Sequence, residues 1–157
     1  MRNYMLPVLF ILSLAAADPV DTAYLVLDAI QWQDGYRLED LLSEDLYLTV
    51  VQFLDQARDL AEADPVLAEN MLNQRYNGRI TVEDITNMNN QDLIGKLLGE
   101  VNLPSADGVE RESANLQGRN AAVVLFWPGG GSVSFQMVWE NSDWHVTDSS
   151  ILHGLFN

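Results

Sequence analysis

The sequence predicts an α+β protein whose helices come first and whose antiparallel sheet comes last. Apolar residues recur at helical spacing between residues 18 and 103, whereas from Val109 onward they alternate with polar residues. The loop "PSADG", residues 104–108, separates the two patterns. A chain of 157 residues is long enough to bury a core within one domain. We therefore expect a single α+β domain over residues 18–157.

The first 17 residues predict a cleavable secretory signal peptide. Arg2 precedes the apolar run of residues 5–14, and Ala15-Ala16-Ala17 supply the small residues of a cleavage site. The run is shorter than the roughly 20 apolar residues that span a bilayer. The alternative is a buried or interfacial first helix. We expect cleavage after Ala17 and a secreted or periplasmic product, and the absence of cysteine and of Asn-x-Ser/Thr sites favours a bacterial periplasm.

The formal net charge of −15 limits the partners that the protein can have. Arg2 is the one charged residue of the leader, so its removal changes this charge to −16. Such a field repels phosphate backbones and anionic lipids, and we expect neither nucleic acid nor a membrane surface as a partner. The acids are scattered, which favours a role in solubility or salt adaptation over the binding of cations or basic partners. Without cysteine and with two histidines, we expect no metal site and no cofactor.

Five helix starts carry capping signals, because short polar side chains accept hydrogen bonds from the free N–H groups of a first turn. They are Asp18-Pro19, Ser43-Glu44-Asp45, Asp64-Pro65, Thr81 with Asp84, and Asn89 or Asn90. We expect Gly35 to end the first helix, a short helix over residues 38–42, Asn77-Gly78 to end the helix that Asp64 opens, and Pro104 to mark the end of the last one. The helix opened by Ser43 carries an apolar stripe: Leu46, Val50, Phe53, Leu54, Ala57 and Leu60.

Four strands are predicted beyond the loop, over residues 109–116, 121–127, 132–140 and 143–150. The segments between them are rich in Gly, Asn and Ser, which favour tight turns. They are too short to hold crossover helices, so the sheet is predicted to be antiparallel.

Two pairings assign the faces of this sheet. Trp127 opposite Ser132, and Trp139 opposite Trp144 across a two-residue loop, give one consistent inner face. That face holds Ala122, Val124, Phe126, Val133, Phe135, Met137, Trp139, Trp144 and Val146. The two tryptophans are then a cross-strand pair in the core, a contact that contributes about 0.5–1.5 kcal/mol beyond burial.

The same register predicts the positions of two titratable side chains. His145 lies on the outer face opposite Val138, where we expect a structural or solvated role rather than a ligand or base role. Asp148 lies on the inner face near Phe135, where a carboxylate must be hydrogen-bonded or line a wet pocket. The alternative is that the strand has frayed by this point and leaves Asp148 in solvent.

The outer face would carry an apolar stripe formed by Val123, Leu125 and Trp127. Exposed stripes of this kind indicate a partner, and a second copy of the chain would form a homodimer through the sheet. The alternative is that the C-terminal "ILHGLF" covers the stripe within one chain.

Both ends of the chain resemble the nuclear transport factor two-like (SnoaL-like) domain family. The segment "DPVDTAYLVLDAIQWQDGYRLEDLLSEDL" is similar to the family's opening, with Asp34-Gly35, Leu41-Leu42 and Ser43 in place. The segment "NAAVVLFWPGGGSVSFQMVWENSDWHVTD" is similar to its last strands, with Trp144 and Val146 as the inward pair. The resemblance implies a curved, cone-like sheet around helices with a pocket between them. Residues 64–103 depart from the compact members and are expected to be a helical insertion.

The resemblance also implies which residues would line that pocket: Tyr24, Tyr36, Phe135, Met137, Trp139, Trp144 and Asp148. Our first hypothesis is an exported non-enzymatic domain that binds a small apolar molecule or a protein partner, because no convincing catalytic pair is present. The second is an acid–base isomerase or dehydratase, with Asp148 as the catalytic candidate and a tyrosine as its partner. The third is a helical adaptor that makes its contacts through residues 64–103.

Overall fold

A computed structural model describes residues 18–156 and confirms the α+β fold class. The predicted signal peptide lies outside the described residues. Within them, seven helices and one open four-stranded sheet are present, and six of the helices precede the strands. The helices are α1 Pro19–Gln31, α2 Gly35–Leu41, α3 Glu44–Ala63, α4 Pro65–Tyr76, α5 Val82–Asn87, α6 Asn90–Leu98 and α7 Ser150–Phe156. The strands are β1 Arg111–Gln117, β2 Asn120–Phe126, β3 Ser132–Glu140 and β4 Asp143–Ser149.

The predicted helix starts are confirmed by their capping hydrogen bonds. Side chains of the residues before α1, α3, α4, α5 and α6 each accept a hydrogen bond from a first-turn N–H group: Asp18, Ser43, Asp64, Thr81 and Asn89. Two boundaries differ from the predictions. Gly35 begins α2 instead of ending α1, and α6 ends at Leu98, well before Pro104. No helix within residues 18–156 is both long enough and apolar enough to cross a membrane.

The strands form an antiparallel meander in the order β1-β2-β3-β4. The predicted register of β3 and β4 is confirmed at the end of the hairpin, where Trp139 lies opposite Trp144 and Met137 opposite Val146. The two indole rings meet edge to face, with 5.4 Å between centroids and 69° between planes. The buried side chains of this hairpin therefore point toward the helices, as the alternation predicts.

The predicted faces of β2 were wrong. Phe126, not Trp127, lies opposite Ser132, because the N–H of Trp127 donates to the carbonyl of Gly131 (2.9 Å) and leaves a loop of three residues, 128–130. A shift of one residue exchanges the two faces of a strand. Val123, Leu125 and Trp127 are therefore buried in the core, and Ala122, Val124 and Phe126 face outward. The stripe proposed as a homodimer face is not exposed.

The predicted inward position of Asp148 was also wrong. The pairing of β3 with β4 shifts by one residue between Gln136 and Met137, so that Asp148 lies opposite Gln136 and Ser149 opposite Phe135. A bulge of this kind turns the following side chains over. Asp148 is exposed, whereas Ser149 takes the buried position. The carboxylate is therefore solvated although the strand has not frayed.

The helical half is held by a close crossing of α2 and α6 at Gly35 and Gly95. A methyl group on Gly35 would overlap the carbonyl oxygen of Gln91, and one on Gly95 would overlap the carbonyl oxygen of Gln33. Both glycines are buried. The two backbones touch here, and any larger residue must push the helices apart.

We expect Gly95→Ala to destabilise the fold by about 1–3 kcal/mol, because overpacking a rigid contact forces backbone shifts. Urea unfolding followed by far-ultraviolet circular dichroism measures this change. Gly154→Ala in α7 is the matched control, since a methyl group added there would meet no atom within 4 Å. Alanine is the better helix former, so the control should be neutral or up to about 1 kcal/mol more stable. Equal midpoints for the two variants would contradict the close crossing.

Candidate functional site

Four of the predicted pocket residues are core side chains on the inner face of the sheet. Phe135 and Met137 are 0% and 1% exposed, Trp144 is 6% exposed and Trp139 is half-buried. They pack beneath the helices, where Val26 of α1 and Leu54 of α3 are also fully buried. The space between sheet and helices is occupied by these side chains, which stabilise the fold by roughly 1.5–3 kcal/mol for each one buried.

The proposed acid and its tyrosine partners are not brought together. The hydroxyl of Tyr24 donates to Glu112 of β1 (3.1 Å), and Tyr36 is exposed and accepts a hydrogen bond from Asn89 (3.2 Å). Asp148 lies on β4, at the opposite edge of the sheet from β1, about 14 Å away across three strand spacings. Burial raises the pKa of Tyr24, and the hydrogen bond and charge of Glu112 raise it further. These residues do not form an acid–base pair.

A groove between α3 and α4, with α5 beneath it, is the candidate site, and we call it the α3–α4 groove. Its volume is about 360 Å³, within the range of about 300–1,000 Å³ that is typical of ligand pockets. It has a buried floor, half-buried walls and an exposed rim. The floor is Ala68, Tyr76 and Ile85, the walls are Phe53, Ala57, Leu60 and Leu72, and the rim is Gln56, Met71 and Arg75.

The shape of the groove follows from its two helices. Asp64 caps the end of α3 and the start of α4, so the helices are joined by a single residue and form a helical hairpin. The spacing of Phe53, Ala57 and Leu60 places these side chains on one face of α3. Ala57 and Ala68 are small, and they leave open a space that longer side chains would fill.

Arg58 fixes the position of α5 beneath the groove. Its guanidinium donates to the carbonyls of Ile85 (3.1 Å) and Met88 (3.2 Å) and to the side chain of Asn90 (2.7 Å). The half-buried carboxylate of Asp84 then joins α5 to Lys96 of α6 at 2.6 Å. Both contacts are charge-assisted and therefore stronger than neutral hydrogen bonds. The floor of the groove is thus held by two basic side chains.

Arg75 closes one end of the groove against α7. Its guanidinium lies 5.7 Å from the ring centre of Phe53 and 5.5 Å from that of Tyr76, and it donates to the carbonyls of Gly154 (3.2 Å) and Leu155 (3.0 Å). The Tyr76 hydroxyl donates to Leu155 as well (3.4 Å). Burial raises the pKa of Tyr76, against the opposing charge of Arg75, so its phenol stays neutral. The polar side chains at this end therefore make hydrogen bonds within the protein.

The lining of the groove is mainly apolar. Its polar side chains are Gln56, Arg75 and Tyr76, and it contains no Ser, Thr, His, Asp or Glu. Its apolar surface continues onto the exposed side chains of α4, where Met71 is 52% and Leu67 46% exposed. Among residues 18–156, no group of three or more His, Cys, Asp or Glu side chains is arranged to hold a metal ion.

Two other cavities, both beside α3, contain acidic side chains. One, of about 550 Å³, lies between the start of α3 and the sheet and contains Glu44, Asp45 and Glu140. The other, of about 130 Å³, contains Asp148 and His153 beside Phe156. The first is wide and polar, and the second is too small for more than a few waters. Neither combines depth with an apolar lining, as the α3–α4 groove does.

The sequence contained one signal for the groove that the pattern analysis missed. Val66, Leu67, Met71 and Leu72 do not share one face of α4, so this helix cannot bury them all against the core. A helix of this kind exposes apolar area that a partner can cover.

No family model, no curated protein and no solved structure matches the chain.

We expect the contribution of Asp84 to stability to disappear in acid. Burial alone would raise the pKa of this carboxyl, but hydrogen bonds from Lys96 and Thr81 outweigh it and lower the pKa. A lowered pKa in the folded state stabilises the protein above the unfolded value of about 3.9, and this stabilisation is lost as the pH falls through the folded value.

The measurement is urea unfolding of the natural chain and Asp84→Asn at several pH values. Asp84→Asn should cost about 1 kcal/mol at pH 7, through loss of the ion pair with Lys96 and weakening of the hydrogen bonds from Thr81. The difference should shrink below pH 4. The exposed Asp40→Asn variant is the control and should match the natural chain throughout. A cost for Asp84→Asn that is constant from pH 7 to pH 2.5 would disprove the assignment.

Proposed function

We propose that the protein is an exported, non-enzymatic binding domain, and that its α3–α4 groove takes the apolar groups of a small molecule or of a protein partner. The observation that carries this proposal is the open groove of about 360 Å³ with nearly neutral, apolar walls. Burying one large apolar side chain or an equivalent ligand group there would contribute about 1.5–3 kcal/mol. Two or three such groups together would contribute enough free energy to hold a small molecule or a peptide segment in the groove.

The third hypothesis, a helical adaptor, is supported by the same surface. One wall of the groove is α4, which lies within residues 64–103, and its exposed residues Val66, Leu67 and Met71 extend the apolar area beyond the groove. A protein partner could use both parts, whereas a small molecule would use the groove alone. The catalytic hypothesis has weaker support, because Asp148 is exposed and lies far from Tyr24.

Membership of the nuclear transport factor two-like (SnoaL-like) family is part of the proposal. Helices that pack on one face of an open antiparallel sheet are compatible with it. The filled space beneath Trp139 and Trp144 supports binding at the α3–α4 groove rather than in a central pocket. In this proposal, residues 64–103 are the insertion that provides the binding surface.

A neutral solvatochromic dye such as Nile red tests the groove directly. Met71→Glu places a charge at the rim and should weaken dye binding at least tenfold, since about 1.4 kcal/mol of apolar burial is lost or opposed. Leu48→Glu is the matched control, because Leu48 lies on α3 with nearly the same exposure (49% against 52%) but does not line the groove. The control should bind within twofold of the natural chain. Equal weakening in both variants would overturn the proposed site.

The export proposal has a separate test. Expression in a bacterium with a periplasm, followed by N-terminal sequencing of the soluble product, should give a chain that begins at Asp18. Replacing Ala15 and Ala17 by Glu should block this processing, while replacing the exposed Asp18 by Asn should not. An unprocessed chain that starts at Met1 and stays in the cytoplasm would contradict export.

A further inference from the structure

Accepting the proposed groove as the binding site, we propose that its occupant is a cationic amphipathic helix of a partner polypeptide. This inference rests on the proposed function and adds the partner's chemistry. Two properties of the described residues support it: the length of the groove walls, and the balance of charge around them.

The walls match the apolar face of a short helix. Phe53 and Leu60 are seven positions apart on α3, with Ala57 between them, and Ala68 and Arg75 are seven positions apart on α4. Seven positions along a helix cover about 10.5 Å. A partner helix that lies in such a groove places apolar side chains at positions i, i+3 or i+4, and i+7, which cover the same length. The groove therefore accommodates about three apolar anchors in a row.

The segment that contains the three helices of the groove is acidic in sequence. From the first residue of α3 to the last of α5, residues 44–87, the chain has nine Asp and Glu residues against three arginines, a formal charge of −6. Asp59 and Glu62 are exposed on α3, and Asp59 lies one turn from the rim residue Gln56. Cationic side chains that flank the apolar face of a partner helix would be attracted by this negative charge.

The three arginines do not provide an anion site. Arg58 is bound to α5 and Asn90, and Arg79 pairs with Glu100. Arg75 is stacked on Phe53 and Tyr76 and donates to the last carbonyls of α7. An anionic amphiphile such as a fatty acid would therefore have to displace these contacts and would also meet a negative field. The charge balance favours a cation over an anion.

Fluorescence anisotropy with three labelled 16-residue peptides tests the occupant. The first peptide has Leu at i, i+4 and i+7 with Lys on its other faces, the second has Glu in place of Lys, and the third keeps Lys but has Gln in place of Leu. We expect the first to bind the purified protein at least tenfold more tightly than either of the others at low salt. Its advantage over the Glu peptide should fall as sodium chloride is raised, because salt screens exposed charges.

Variants then locate the interaction. Met71→Gln, which removes an apolar contact at the rim without adding a charge that attracts lysine, should weaken the Leu–Lys peptide several-fold. Asp59→Asn with Glu62→Gln should weaken it several-fold and leave Nile red binding unchanged. The control pair, Asp107→Asn with Glu110→Gln, removes the same charge from exposed positions outside the groove and should have a smaller effect.

Each alternative outcome has a definite meaning. If Nile red binds in the groove but the Glu peptide binds as tightly as the Leu–Lys peptide, the occupant inference is wrong and the proposed function stands. If the Gln–Lys peptide binds as tightly, attraction is by charge alone and the inference is also wrong. A Met71-dependent dimer in sedimentation would identify a second copy as the occupant instead. Failure of both dye and peptides would remove the groove as a site and the proposed function with it.

Discussion

Burial of one face of the sheet against the helices is the interaction on which the rest of the structure depends. Phe135 is fully buried, with Val123 beside it on one neighbouring strand and Ser149 on the other. Helix α1 has small buried residues, Ala23 and Ala29, which allow neighbouring elements to approach it closely. Because this layer is filled, apolar surface that remains for a ligand must lie where two helices part, as α3 and α4 do.

The groove is a by-product of how the helical half is held together. The crossing at Gly35 and Gly95 sets the position of α6, and the contact of Lys96 with Asp84 then positions α5. Arg58 joins α5 to α3, and Arg75 joins α4 to α7. The two walls are therefore joined to each other, by Asp64 and by the stacking of Arg75 on Phe53, and are also held at their outer sides. A groove supported in this way keeps its shape without a ligand, which lowers the cost of binding.

The features that could be predicted from the sequence are those with local causes. A cap such as Asp18 acts within two residues, and the pair of Trp139 and Trp144 follows from a two-residue loop. The faces of β2 depended on whether three or four residues form the glycine turn, and no local signal decides between these lengths. Asp148 was misplaced by a bulge in the pairing of β3 with β4, which the alternation of β4 alone does not reveal. The groove was missed because it arises between two helices, whereas periodicity describes one helix at a time.

Charge and apolar surface would have separate roles in the proposed recognition. A net negative field acts over about 8–10 Å in physiological salt, so it selects among molecules that approach and sets the rate at which they arrive. The apolar walls act only on contact and determine how long a bound group remains. The acids near the groove lie on the exposed side of α3, outside the apolar lining, so they need not be desolvated when the groove is filled. An acidic surface around a neutral groove is therefore consistent with selective binding, whereas acids inside the groove would oppose it.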